Sequence, residues 1–149
     1  MAEGTRRTFL KMVAGASTLP LGAGVAACSS SGPGPENVGD VAAGNASALS
    51  VGSLQGIGSA PVCIGRDADG IYAMTLTCTH QSCNMAQQGS VSSSGVSCAC
   101  HGSRFDVQGN VTRGPAQSSL SHFSVTADTS GNLTVHTATV VAETVRLKA

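Results

Sequence analysis

The sequence predicts an all-β fold, a small antiparallel sandwich or barrel, on three observations. From about Val41 onward, short β-branched runs alternate with turn signals. No sustained helical period follows the N-terminal segment. The core material is also unusual: 19 Gly and 20 Ser stand against no Trp, one Tyr and three Phe in 149 residues. Small side chains bury little area each, so such a fold needs cross-links or a metal to supplement its core. Six Cys are available for that. A formal charge of zero with 11% charged residues excludes the basic stripe of a nucleic-acid binder. An apolar content of 41% excludes extended disorder.

Residues 1–27 read as an address. Thr5-Arg6-Arg7-Thr8-Phe9-Leu10-Lys11 precedes an apolar run from Met12 to Ala27, the charged head and apolar middle of an export signal. The arginine pair, Phe-Leu and Lys fall in register with the bacterial twin-arginine export motif, which they resemble. Val25-Ala26-Ala27-Cys28 resembles a lipobox, with Cys28 as the lipidated first residue of the mature chain. An uncleaved anchor is the alternative, although 16 residues interrupted by Pro20 fall short of the ~20 needed to span a bilayer. The expected location is the periplasm or the outer face of the cytoplasmic membrane, with the protein membrane-tethered.

Residues 28–40, with Ser-Ser-Ser-Gly-Pro-Gly-Pro, form a flexible linker. The β domain spans 41–142. Pro61–Gly65 and Ile71–Thr75 flank the turn Asp67-Ala68-Asp69-Gly70 as a hairpin. Gln108-Gly109-Asn110 turns between Phe105–Val107 and Val111–Thr112. Ser121–Ala127 and Leu133–Thr139 flank Asp128–Asn132 as a further hairpin, and 143–149 is a C-terminal tail. Cys63 falls in a strand and reads as a buried small hydrophobe. His122 and His136 read as ordinary strand residues.

Two segments concentrate the chemistry. Cys78-Thr79-His80-Gln81-Ser82-Cys83 and Cys98-Ala99-Cys100-His101-Gly102-Ser103-Arg104-Phe105 hold four of the six Cys and two of the four His in fourteen residues. Thiols and imidazoles together are soft metal ligands. A structural Cys₂His₂ zinc site is one reading, but zinc sites usually space their cysteines C-x₂₋₄-C, and Cys78-x-His80 is not that.

The pattern Cys-x-His, a gap of seventeen residues, then Cys-x-x-His-Gly-Ser resembles the Rieske iron–sulfur family. The resemblance implies a β-fold of the Rieske type with a two-loop cluster-binding subdomain. It implies one [2Fe–2S] cluster per chain, bound by Cys78, His80, Cys98 and His101. Two imidazoles in place of two thiolates make such a cluster less negative. The class therefore spans about −150 to +300 mV, against about −400 mV for all-Cys plant-type clusters. The resemblance also implies a disulfide between Cys83 and Cys100, permitted in an exported protein. Ser103 matches a hydroxyl that donates to a cluster sulfur. Phe105 stands where many high-potential members have Tyr, so the expected potential lies below the top of the range. Pro115 falls in a Gly-Pro-Ala stretch like the loop that covers the cluster. Two departures stand out: Gln81-Ser82 replaces the usual Leu-Gly of quinol-oxidising members, and Ala99 replaces a common Pro.

The function expected from these residues is one-electron transfer. The first form is the iron–sulfur subunit of a quinol–cytochrome c oxidoreductase-like complex, with a cytochrome b- or c-type partner and quinol as donor. The alternatives are the small electron-transfer subunit of a periplasmic molybdenum oxidase, arsenite oxidase-like, or a free-standing shuttle lipoprotein. No independent catalytic site is evident.

Overall fold

Alternation along the strands sets the architecture. The computed structural model describes residues 34–149; the signal, Cys28 and the first part of the linker, to residue 33, lie outside the described residues. The strands are β1 (Asp40–Asn45), β2 (Leu54–Gly56), β3 (Val62–Arg66), β4 (Ile71–Thr75), β5 (Gly89–Ser92), β6 (Gly95–Cys98), β7 (Arg104–Phe105), β8 (Val111–Arg113), β9 (His122–Ala127) and β10 (Asn132–Val141). One 3₁₀ turn, Ala46–Ala48, is the only helical element among the described residues. No helix of those residues is long and apolar enough to cross a membrane.

A six-stranded antiparallel sheet has the order β1-β10-β9-β4-β3-β2, and a four-stranded one the order β5-β6-β7-β8. Side chains alternate between the faces of a strand, and β3 and β4 use both. Val62, Ile64, Ile71 and Ala73 point into one apolar cluster, with Phe123, Leu133 and Val135. Cys63, Tyr72 and Met74 point into another, with Val96 and Phe105 of the small sheet. That second cluster continues into the loops through Cys78, Met85, Cys98 and Leu120. The small sheet shows the same division. Cross-strand neighbours Val91, Val96, Phe105 and Val111 face the core. Ser90, Ser97, Arg104 and Arg113 line its other face.

The three expected hairpins are present. In the β3–β4 turn, Asp67 Oδ1 accepts the amides of Asp69 and Gly70. The turns at Asp106 and Asp128 close in the same way, with Asp128 Oδ1 accepting Ser130 and Asn132. Cys63 is fully buried in β3, and burial pushes its thiol up to about 12. It is therefore an inert core residue with no access to a second chain. His122 is 2% exposed, stacked on Tyr72 and hydrogen-bonded to the Gln108 carbonyl. Burial holds it below the ordinary histidine range, and so neutral. His136 is half-buried and pairs with Asp40 at 2.9 Å.

The segment 143–149 folds back instead of trailing away. Leu147 and Ile71 exchange backbone hydrogen bonds at 2.8 and 2.9 Å. Arg146 Nε donates to Asp67 Oδ2 at 2.7 Å, and its guanidinium lies 4.5 Å from the Tyr72 ring centroid. Burial alone would raise the Asp67 carboxyl. Hydrogen bonds from Arg146, Asp69 and Gln108, with the Arg146 charge, outweigh it and hold the group below the usual carboxylate range. A depressed carboxyl stabilises the fold above its unfolded pKa, and that stability is lost as pH falls through the folded value. Arg146→Ala should therefore lower stability by about 1–3 kcal/mol at pH 7. In thermal melts across pH, the gap from wild type should narrow below about pH 4 as Asp67 protonates.

Candidate metal centre

Both cysteine-rich segments fold into the same turn. In the first, Cys78 N–H donates to the Cys83 carbonyl at 2.9 Å and Ser82 N–H returns to the Cys78 carbonyl at 2.8 Å. In the second, Cys98 N–H donates to the Ser103 carbonyl at 2.9 Å and Gly102 N–H returns to Cys98 at 3.0 Å. Each is a single helical turn closed by a left-handed residue. Gly102 takes φ +84° freely, having no Cβ. The corresponding residue of the first turn is Ser82 at φ 51°, the one non-glycine residue with positive φ among the described residues. Cys78 and Cys98 open the two turns and are buried, while His80, two residues on, is half-buried and His101, three residues on, is exposed.

Cys78 and Cys98 are each 2% exposed and unpaired, and the rings of His80 and His101 meet edge-on with centroids 4.8 Å apart. Burial pushes the Cys98 thiol up, and the adjoining Cys78 thiol adds to this, against lowering contacts from the Cys100 and His101 amides. His80 Nδ1 is buried without a hydrogen-bond partner. The two thiols lie against each other and make no disulfide, and the imidazole nitrogen beside them has no protein partner. As a donor set of two thiolates and two imidazoles, these side chains fit a mixed Cys/His iron–sulfur cluster.

Cys83 and Cys100 form a disulfide, with Cα atoms 6.6 Å apart, that joins the two turns. Their sulfurs and Cys98 Sγ lie within 4.8 Å of one another. Two of that trio are spent on the disulfide, so the trio is not itself a ligand set. The Gln88 side-chain amide lies 3.1 Å from Cys100 Sγ. The near atom is Oε1, and since a disulfide sulfur has no proton to donate, this is a packing contact and not a hydrogen bond.

A third loop straps the other two. Thr79 Oγ1 donates to the Ser118 carbonyl at 2.6 Å, and Ala116 N–H donates to Ser103 Oγ at 3.0 Å. Ser103 is fully buried, and accepting from Ala116 leaves its own proton free for another acceptor. Pro115, after a cis peptide bond from Gly114, is exposed beside it. Phe105 is 2% exposed and packs under the second turn. Sequence reasoning did not find the Thr79–Ser118 strap or the Gln88 contact; each joins residues far apart in the chain, and no local signal marks either.

The family model described as "Rieske [2Fe-2S] domain" matches residues 39–124. The cytochrome b6-f complex iron–sulfur subunit of Synechococcus elongatus is 42% identical over 64 residues, covering 42% of this chain and 35% of the relative. A second such subunit, from Synechocystis, is 38% identical over 66 residues, covering 43% and 36%. The chain thus matches about a third of the length of these relatives. The crystal structure of a plasma-membrane Rieske protein from Synechocystis aligns with TM-score 0.48 at 27% identity, covering 64% of this chain and 97% of that one. The oxygenase–ferredoxin complex of carbazole 1,9a-dioxygenase aligns at 0.47 and 26%, covering 66% and 93%.

Two measurements check this geometry. Ser82→Gly relieves a left-handed conformation that costs a side-chain-bearing residue about 1 kcal/mol. Denaturant unfolding should show it equal to or more stable than wild type by up to that amount. Cys83→Ser with Cys100→Ser opens a covalently closed loop and should cost about 3 kcal/mol in the chain-entropy model, read as a lowered Tm that added reductant no longer changes.

Proposed function

The chain belongs to the Rieske [2Fe–2S] domain family, and from that premise we propose an exported, membrane-tethered one-electron carrier, the iron–sulfur subunit of a quinol–cytochrome c oxidoreductase-like complex. When bound, the [2Fe–2S] cluster supplies reversible one-electron chemistry. The chain's residues do the rest. Cys78 and Cys98 supply two thiolates from the buried side, and His80 and His101 two imidazoles from the outer side. The observation that supports this assignment is that two matched turns bring two disulfide-free, buried thiols together and set the His80 and His101 rings 4.8 Å apart.

Met85, Phe105, Ala116 and Leu120 enclose the thiols in apolar surroundings and keep water from them. The Cys83–Cys100 bond and the Thr79 and Ser103 hydrogen bonds hold the turns at a fixed separation. Fixed ligands limit the rearrangement that each electron would otherwise impose. His101 is exposed and His80 half-buried, so the imidazole side is the one a redox partner can reach.

Membership of a quinol-oxidising complex draws support from the cytochrome b6-f relatives, over the third of their length that matches. One observation favours the second reading, a small subunit of a periplasmic oxidase (arsenite oxidase-like) or a free shuttle lipoprotein. The rim beside the imidazoles carries exposed Gln81, Ser82, Gln117 and Ser118, where a quinol pocket would be met by apolar side chains. Co-purification from membranes separates the readings: a b-type haem partner supports the first, while a molybdenum partner or none supports the second. Export and tethering rest on the sequence of residues 1–28. Arg6→Lys with Arg7→Lys should leave the protein in the cytoplasm, and Cys28→Ser should release it from the membrane.

The ligand assignment has its own test. Cys78→Ala, Cys98→Ala, His80→Ala and His101→Ala should each lose iron and acid-labile sulfide, whereas Cys63→Ala should retain two of each per chain. Retention of full iron by any of the four would remove that residue from the ligand set.

A further inference from the structure

Formal charge is distributed very unevenly over the described surface. Residues 70–103 and 114–127 contain no Asp, Glu, Lys or Arg, so all three loops around His80 and His101 are uncharged. The charges that flank these loops in sequence are Arg104, directly after the second turn, and Arg113, directly before Gly114; on another side Glu36 follows Pro35, which lies beside Thr79 and Ser118. The two arginines are cross-strand partners on β7 and β8, both exposed. Like charges placed directly opposite one another destabilise a sheet, and nothing here neutralises them. The ion pairs among the described residues are His136–Asp40 and Arg146–Asp67. The nearest acid in sequence, Asp106, sits at the opposite, turn end of this hairpin, occupied by the Gln108 and Asn110 amides. Across the sheet the row continues as Ser97 and Ser90, hydroxyls joined at 2.8 Å. Ser90, Ser97, Arg104 and Thr112 line a shallow groove of about 460 Å³.

We propose that this face is the docking surface for a redox-partner protein that meets the uncharged loops with an uncharged patch and sets carboxylates against the Arg104–Arg113 pair. The proposal rests on the electron-carrier reading above and adds the chemistry of the partner. The neutral centre lets the redox groups approach without desolvating charge. The arginines on one flank steer and orient the encounter, with guanidiniums suited to carboxylate recognition. Both arginines lie on one flank of the uncharged loops, so they favour one orientation of the encounter.

The probes are two small oxidants of opposite charge, ferricyanide and tris(phenanthroline)cobalt(III), mixed with the reduced, cluster-loaded full-length protein. Each takes one electron from the protein, reducing Fe(III) to Fe(II) or Co(III) to Co(II). Between about 10 and 500 mM salt, the ferricyanide rate should fall several-fold and the cobalt rate should rise, as screening removes the positive flank. In Arg104→Gln with Arg113→Gln both rates should become nearly independent of salt, and Arg104→Lys with Arg113→Lys should restore the dependence. A readout independent of the cluster is broadening of the amides at 97, 104 and 113 by redox-inert chromium complexes. Hexacyanochromate(III) should act more strongly than tris(ethylenediamine)chromium(III), and the double Gln variant should erase the difference. Salt-independent rates in the wild type, equal broadening by the two complexes, or a salt dependence that survives the double Gln variant would each overturn the docking proposal while leaving the carrier intact. Absence of iron from the protein would instead overturn the carrier reading, and the broadening experiment would still decide whether the flank selects anions.

Discussion

The Cys83–Cys100 bond is the covalent constraint that ties together the two turns of the metal centre. Each Cys–His pair sits on a one-turn loop secured within itself by only two backbone hydrogen bonds, too few to fix a short loop against its own conformational entropy. The disulfide joins the loops to each other. The Thr79 and Ser103 hydrogen bonds tie both to the 114–120 strap. The strap is anchored in turn where Leu120 N–H donates to the Gly109 carbonyl at the β7–β8 turn. The route from the metal centre to the main core is therefore continuous and passes through Leu120, Met74 and Phe105.

That constraint explains the composition. A chain with three Phe and no Trp cannot hold two loops in place by packing alone. It uses small residues for close approach instead. At Gly95, the turn of the β5–β6 hairpin, an added Cβ would lie 2.1 Å from the Phe105 carbonyl, so β6 and β7 come together only because a hydrogen stands there. The C-terminal segment contributes at the other end of the molecule, where Arg146 joins Asp67, Gln108 and Tyr72 into one network.

Much of this was legible in the sequence, for local reasons. The hairpins at Asp67–Gly70 and 128–132 were marked by Asp-and-Gly turn chemistry between β-branched runs, and the middle one by Gln108-Gly109-Asn110, although its turn begins earlier, at Asp106. The cysteine–histidine segments were marked by ligand chemistry that no core requires. Other features lacked a local signal. The β5–β6 hairpin is built from Gly-Ser-Val-Ser and Gly-Val-Ser-Cys, weak strand formers that are held by pairing and by the burial of Val96. The return of Leu147 to Ile71 joins residues far apart in the chain. The pairing of Arg104 with Arg113 depends on a register shift between Arg104 and Phe105 that the sequence does not announce. Ser82 in a left-handed conformation was visible only as a departure from the family's Leu-Gly, and the fold shows the glycine would have served backbone geometry.

The central claim is that Cys78, His80, Cys98 and His101 hold a mixed-ligand [2Fe–2S] cluster that carries one electron. The most direct measurement is the EPR spectrum of the reduced, purified protein, with iron and acid-labile sulfide determined on the same sample. Two irons and two sulfides per chain, with a rhombic signal of the low average g that imidazole ligation produces, is the expected result. A silent spectrum with one zinc per chain, or an average g of the all-cysteine type, would contradict it.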